Sequence, residues 1–412
     1  MERNLKLVLS ILAVLLIPCL LQATLVFGAE HELSKIRSAI SEKKADWVAG
    51  ETSISKLPPA ARKKRVGLIK PLRSQEELAD VEKEQASLAA IAVPASFDWR
   101  SATGTYNGNF VTPIKDQGDC SSCWAFATVA VLESHVLMAN STPGAQLNLS
   151  EQTLVSCGHA GDCDGGYLGR ASNYITDMGV PKEWCFRYTA TNNSCANACS
   201  AWTDKAYRIV GWHWVATSNP TVETLKSALV TYGPLVTSID VYDDFFSYQS
   251  GIYSYVSGTY QGDHAVVIVG YNDPGQYFIV KNSWGEGWGE AGYFRVAYSQ
   301  LTNLVCFGYD TIAFEGYDGG DPPPACTYSL NRTIRYMPAA GGKGSIIIST
   351  QSNCAWTAVS NAEWITITAG GAMTGNGRVR YKVAANPHAT SRIGTITVAG
   401  QTFTVRQKPF KP

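Results

Sequence analysis

A polar loop with two cysteines three residues apart runs straight into a long apolar stretch. It reads Lys-Asp-Gln-Gly-Asp-Cys-Ser-Ser-Cys-Trp-Ala-Phe over residues 115–126, and the apolar run continues to Leu137. The run predicts a helix around Cys123 to Met138. A cysteine at a helix start feels the positive end of the helix dipole, which favours thiolate over thiol. The thiolate is the nucleophile, so the same stretch constrains both the fold and the chemistry.

The 412 residues suggest two or three domains. Charged residues make up only 17%, while glycine and aromatic residues are plentiful, which favours a compact, glycine-turned protein over a disordered one. A formal net charge of zero gives no reason to expect nucleic acid or an anionic surface as partner. Most of the 11 cysteines fall between Cys120 and Cys199, and such clusters serve metal, disulfide or catalysis according to compartment.

The N-terminus speaks to compartment. Arg3 and Lys6 precede an apolar core over 7–21, and Val26-Phe27-Gly28 offers a small-residue end, so residues 1–28 read as a signal peptide. The alternative is a retained anchor over 5–27. Either way the remainder is exported, secreted or extracytoplasmic, and disulfides are permitted. Residues 29–93 form a polar segment: Leu33, Ile36 and Ile40 recur at helical spacing, Pro58-Pro59 interrupts, and 75–88 predicts an acidic helix. The basic run Arg62-Lys63-Lys64-Arg65 reads as solvated surface or a processing site.

After Val93 the first half is helical around 123–138 and 150–154, with glycine-rich loops. The second half switches to strand signals at 235–239, 265–269, 277–280 and 293–296. Residues 316–325 carry three prolines and make a semi-rigid linker. Residues 326–408 alternate apolar and polar positions at 364–368, 379–383, 394–398 and 402–405, with glycine turns between them. That pattern predicts a small antiparallel sandwich.

Residues 120–124 resemble the active-site signature of papain-like cysteine proteases, Cys-Gly-Ser/Ala-Cys-Trp/Tyr, with Ser121 in place of the glycine. Val93-Pro94-Ala95-Ser96-Phe97-Asp98-Trp99-Arg100 is similar to the mature N-terminus of that family. The resemblance implies an α+β, two-lobed fold, a helical lobe and a β-barrel-like lobe with a cleft between, over 94–315. It makes 29–93 a propeptide acting as intramolecular inhibitor, with processing between about Ala89 and Pro94. The tail resembles the bacterial immunoglobulin-like BACON module through Cys354-Ala355-Trp356, Trp364-Ile365-Thr366-Ile367 and Arg392-Ile393-Gly394-Thr395-Ile396. Trp356 and Trp364 there are candidates for stacking on glycan, with core packing the readier explanation. The module thus reads as a spacer or adhesion domain at a cell surface.

Cys123 is the candidate nucleophile, with Cys120 its competitor. Among six histidines, His264 lies 141 positions after Cys123, within the ~130–150 this family keeps. Asn282, in Val280-Lys281-Asn282-Ser283-Trp284, would orient the imidazole, and Trp284 would shield that bond. Gln117 and the Cys123 backbone N–H would hold the oxyanion. Substrate backbone would pair with Gly165 and Gly166, and Tyr167, Leu168, Ser238, Gly262 and Thr311 would line the second subsite, an apolar mixture that predicts apolar side chains there. The resemblance also implies Cys120–Cys163 and Cys157–Cys195. Cys185–Cys199 would be an extra pair, with a zinc site as its alternative, and Cys326–Cys354 would staple the tail. Cys306 is left over. No cofactor or metal is implied, and the substrate is a protein or peptide. With no paired-histidine occluding loop, endopeptidase activity is the expectation. Alternatives are a transpeptidase or ligase of the same chemistry, or an adhesin using an inactive protease fold.

Overall fold

A computed structural model describes residues 30–321, 326–351 and 354–411. The stretch 1–28, expected to be a signal peptide, and residues 322–325 of the expected linker lie outside the described residues.

The helix that the apolar run predicts spans Cys123–Ala139, and every residue in it except Ala130 and Ala139 is buried. A helix apolar on all sides belongs inside a core rather than on its surface. Its neighbours Glu151–Cys157 and Leu168–Asp177 complete a helical lobe. Ser150 caps the first of these by accepting from the Thr153 N–H.

The second lobe is a sheet curled around the helix Val222–Tyr232. Its strands run in the order Trp47–Ala49, Tyr248–Tyr253, Tyr293–Ala297, Tyr277–Lys281, Tyr260–Asn272, Leu235–Tyr242, Thr311–Glu315 and Gly211–Ala216. The central strand is longer than its apolar run. His264, just ahead of the apolar run 265–269, is the fifth residue of a strand that begins at Tyr260. The extra length comes from backbone pairing of Asp263 with Asp240 and Gly262 with Val241, which a hydrophobic pattern does not register.

Residues 30–93 belong to the same folded body. They contribute a helix over 30–43, the edge strand Trp47–Ala49 and the helix Gln75–Ala89, which a Ser74–Glu77 capping box starts. The basic run between them is surface only in part: Lys63 is exposed and Lys64 is half-exposed, while the two arginines are covered. Arg62 pairs with Glu32 at 2.9 Å and Lys64 with Asp164 at 2.8 Å, and the Arg65 side chain is only 8% exposed beside Asp116.

The C-terminal sandwich packs two sheets. One orders Ser329–Leu330, Gly342–Ser349, Gly377–Val383 and Ile365–Ala369. The other orders Ile334–Met337, Gln401–Gln407, Arg392–Val398, Ala355–Ser360 and Ala372–Thr374. Trp356, Tyr381 and Phe403 fill the space between them. Trp364 is half-buried under the Arg392 guanidinium, 4.2 Å from its ring. Both tryptophans are therefore engaged inside the domain. The sandwich touches the loop after the central helix, where Ala355 N–H donates to Gly144 O at 3.0 Å.

His135, on the central helix, is buried with Nε2 unpartnered, and burial pushes its pKa down to about 4. A histidine whose folded pKa is depressed contributes stability that is complete above the unfolded value near 6.5 and is lost as pH falls toward 4. Acidification from pH 7 to 5 should therefore cost about 2 kcal/mol at this residue. His135→Leu should flatten the stability-against-pH curve by that amount, read from urea midpoints at the two pH values. A slope equal to the parent's would refute the assignment.

Candidate active site

Cys123 is the first residue of the central helix and is fully buried. The Ser122 carbonyl accepts from the N–H groups of Ala125 and Phe126, so the helix starts at the sulfur-bearing residue. Across the cleft, the His264 Nε2 meets Asn282 Oδ1 at 2.8 Å, while its Nδ1 is buried without a partner. The Ala265 N–H, next along that strand, acts on the Cys123 sulfur to favour its thiolate. Trp284 stacks on the His264 ring with centroids 4.7 Å apart. Asn282 is itself held: its N–H donates to Gly292 O, and its Oδ1 also accepts from the Ser283 N–H.

Gln117 is buried between the lobes. Its N–H donates to Ser283 O at 2.9 Å, its Oε1 accepts from the Ser283 hydroxyl at 2.8 Å, and its Nε2 donates to Cys120 O at 3.0 Å. The second donation of that amide goes to the Lys64 carbonyl at 3.3 Å. A carbonyl of the N-terminal segment thus already rests on this donor.

The segment continues through the cleft. Trp284 Nε1 donates to Arg65 O at 2.9 Å, and Asp263 O accepts from both Gly67 N–H and Leu68 N–H. Ile69 N–H donates to Gly166 O, and Gly166 N–H donates to Gly67 O, a parallel bridge centred on Leu68. Two glycines make this approach possible. A Cβ on Gly165 would lie 2.8 Å from Gly67 O, and one on Gly166 would lie 2.3 Å from the Trp124 ring.

This cover sets the charge state. Burial pushes the Cys123 thiol up to about 12, against the lowering by the Ala265 and Trp124 N–H groups. Burial likewise pushes His264 down to about 4, against the Asn282 bond that raises it. With the cleft filled, desolvation outweighs the helix dipole and both groups are neutral.

Among the expected subsite residues, Leu168, Ser238 and Thr311 are buried. Thr311 shares a hydroxyl bond with Thr237 at 2.7 Å, and Ser238 Oγ accepts from Asp310 N–H at 3.1 Å. Gly262 lies against Val66, and Tyr167 is half-buried beneath Arg170. The structure bonds Cys120 to Cys163, Cys157 to Cys195, Cys185 to Cys199 and Cys326 to Cys354, and leaves Cys123 and Cys306 free. The 185–199 sulfurs are thus spent on each other rather than on zinc.

Sequence reasoning missed a buried charge network behind the site. Lys115 Nζ lies 2.8 Å from Glu133 Oε1 and 2.6 Å from Glu151 Oε1, and Lys281 Nζ donates to Thr112 O at 2.8 Å. Thr112 in turn donates to Glu133 at 2.5 Å. Two cations and two carboxylates thus join the lobes, one of them on the residue before Asn282. The available signal was Glu133 itself, a charge inside an otherwise apolar helix.

Residues 93–307 match the family model described as papain family cysteine protease, and residues 332–408 match the one described as viral BACON domain. The chain is 36% identical over 233 residues to cathepsin B-like CP3 of Giardia intestinalis, covering 53% of this chain and 73% of that protein. It is 38% identical to the cathepsin L-like proteinase of Fasciola hepatica, covering 50% of this chain and 61% of that protein. Among solved structures, digestive procathepsin L2 proteinase from Tenebrio molitor larval midgut superposes with a TM-score of 0.54 at 29% identity, covering 69% of this chain and 88% of that one. With the family model spanning just over half of its length, and Cys123, His264 and Asn282 brought together in a two-lobed cleft, this chain belongs to the papain family of cysteine proteases and carries a BACON domain at its C-terminal end.

Proposed function

We propose that the chain is the zymogen of an exported endopeptidase that cuts peptide bonds with Cys123, His264, Asn282 and Gln117, and that residues 29–93 are its inhibitory propeptide. The observation that carries this reading is the N-terminal segment threaded through the cleft between Lys64 and Ile69. Cleavage requires the leaving amine to lie on the His264–Trp284 arm and the acyl part on the Gly165–Gly166 arm. The segment runs the other way, with Arg65 at Trp284 and Leu68 at Gly166. It occupies the site in reverse and so sits there uncut. A chain that enters at one arm and leaves at the other also favours endopeptidase over exopeptidase action.

Removal of the segment returns water to the cleft, which lowers the Cys123 pKa and raises that of His264. The thiol proton then moves to His264 Nδ1, and Asn282 Oδ1 holds the ring through Nε2–H. The thiolate attacks the scissile carbonyl carbon. Gln117 Nε2 and the Cys123 N–H receive the oxyanion, each donor being worth about 3 kcal/mol of barrier. His264 Nδ1–H protonates the leaving amine as the C–N bond breaks. Water, deprotonated by His264, then releases the acyl group from sulfur. The four disulfides suit an oxidising, extracytoplasmic compartment.

The test is to let the 29–412 chain process and then to assay peptide hydrolysis with and without an epoxide that alkylates active-site thiols. The expected result is hydrolysis that appears with loss of the segment and vanishes in stoichiometric proportion to epoxide bound at Cys123. Hydrolysis indifferent to the epoxide would overturn the reading.

A further inference from the structure

Beyond Leu68 the N-terminal segment delivers two cations into the acyl-side arm of the cleft. Lys70 Nζ lies 2.6 Å from Asp240 Oδ1 and 2.9 Å from Asp263 Oδ1. Arg73 Nη2 lies 2.6 Å from Asp310 Oδ1, and its guanidinium sits 3.6 Å from the centre of the Trp214 ring. The Arg73–Asp310 pair is no surface pair: the two side chains are 11% and 7% exposed. Among the described residues, the ion-pair partners of Asp240, Asp263 and Asp310 are Lys70 and Arg73 alone.

These groups stand at the second subsite. Asp310 precedes Thr311, and its N–H is bonded to Ser238 Oγ. Asp240 is two positions along the strand from Ser238 and so shares its face. Trp214 pairs with Ile312 across neighbouring strands, and its ring reaches Gly169, the residue after Leu168. Three of the residues expected to make this subsite apolar are therefore ringed by three carboxylates and an indole face.

Departure of the segment takes both cations away. Asp240 and Asp263 then face each other across adjacent antiparallel strands with no cation between them, and burial together with the Asp263 carboxyl already pushes the Asp240 pKa up, so full ionisation of the pair is unfavourable. Asp310 is left as a nearly buried carboxylate without a counter-charge. An apolar substrate side chain would cover these groups without satisfying them. A guanidinium would restore both the charge-assisted bond to Asp310 and the stacking on Trp214.

We infer that the mature enzyme selects substrates with a basic side chain, arginine before lysine, at the second residue on the amino side of the cut bond. Asp310 and Trp214 hold the guanidinium, and Asp240 with Asp263 supplies the surrounding negative field. The inference rests on the proteolytic reading above and reverses the apolar preference that the subsite residues alone predict. The positions of Lys70 and Arg73 in the uncut chain are the segment's imitation of that side chain.

The test uses the processed full chain and four fluorogenic peptides that differ only at that residue: arginine, lysine, citrulline and leucine. Citrulline keeps the shape of arginine and removes its charge. The expected order in kcat/KM is arginine, lysine, then the two neutral residues, with arginine at least tenfold above citrulline. Asp310→Asn should cut the arginine-to-citrulline ratio at least fivefold. Equal turnover of arginine and citrulline peptides, or leucine ahead of both, overturns the inference while leaving the proteolytic reading standing. Should no peptide be cut, the proteolytic reading falls. Recognition is then read directly by fluorescence anisotropy on a Cys123→Ala chain freed of its segment through an engineered site before Val93. Arginine and citrulline peptides of equal affinity there overturn the subsite itself.

Discussion

Cys123→Ala is expected to lower kcat/KM by at least about 10⁴-fold, because removing the nucleophile of a covalent mechanism leaves only binding and oxyanion stabilisation. The fold should survive, since the substitution removes one buried sulfur from a helix otherwise packed by Trp124, Val129 and Leu132. Cys120→Ala is the control that gives the phenotype its meaning. It sits three residues away and is bonded to Cys163, closing a loop with a sequence separation of 43. Losing that bond should cost about 3–4 kcal/mol of stability while leaving the thiol chemistry in place. Opposite outcomes for two neighbouring sulfurs, one in turnover and one in denaturation midpoint, would separate nucleophile from staple. Retained hydrolysis in Cys123→Ala, with the protein folded and free of contaminating protease, would sink the assignment.

The family and its candidate site are legible in the sequence because their signals are local or ordered. Cys123 sits in a tight motif, and His264 and Asn282 follow at readable distances along the chain. Element types were equally plain where the pattern was strong, as in the 123–139 helix and the 277–281 strand. What the sequence hid was pairing between distant charges. Asp310 reads as a loop aspartate until Arg73, 237 positions earlier, is found against it. Arg65 reads as solvated until its neighbours in the cleft appear. The charges beside the expected subsite are hidden for the same reason: its lining residues are read one at a time, while the carboxylates near it come from neighbouring turns and strands. Length of strand was also hidden, since the 260–263 stretch is held in the sheet by backbone pairing rather than by apolar side chains.

The other large effect is expected from Gly67→Val, which should make the unprocessed chain active. A Cβ at Gly67 would lie 2.4 Å from both the Cβ and the carbonyl oxygen of Ser121. Ser121 cannot retreat, because its N–H donates to Cys163 O and the residue before it is locked in the Cys120–Cys163 disulfide. The segment must therefore lift. Lifting breaks the bonds of Gly67 and Leu68 to Asp263 O and the two-way exchange with Gly166. At about 1 kcal/mol net for each of these four bonds, the closed state loses several kcal/mol, enough to open the cleft in a large fraction of molecules. Activity of the uncut chain toward a short fluorogenic peptide should rise by at least about 10²-fold. Ser121→Gly in the same chain should not restore latency, because the carbonyl oxygen still blocks the valine. Latency that returned with Ser121→Gly would assign the close fit to the serine side chain alone. Latency unchanged in Gly67→Val itself would mean that the contacts of Lys64–Ile69 do not hold the cleft shut, and that inhibition comes from the flanking helices instead.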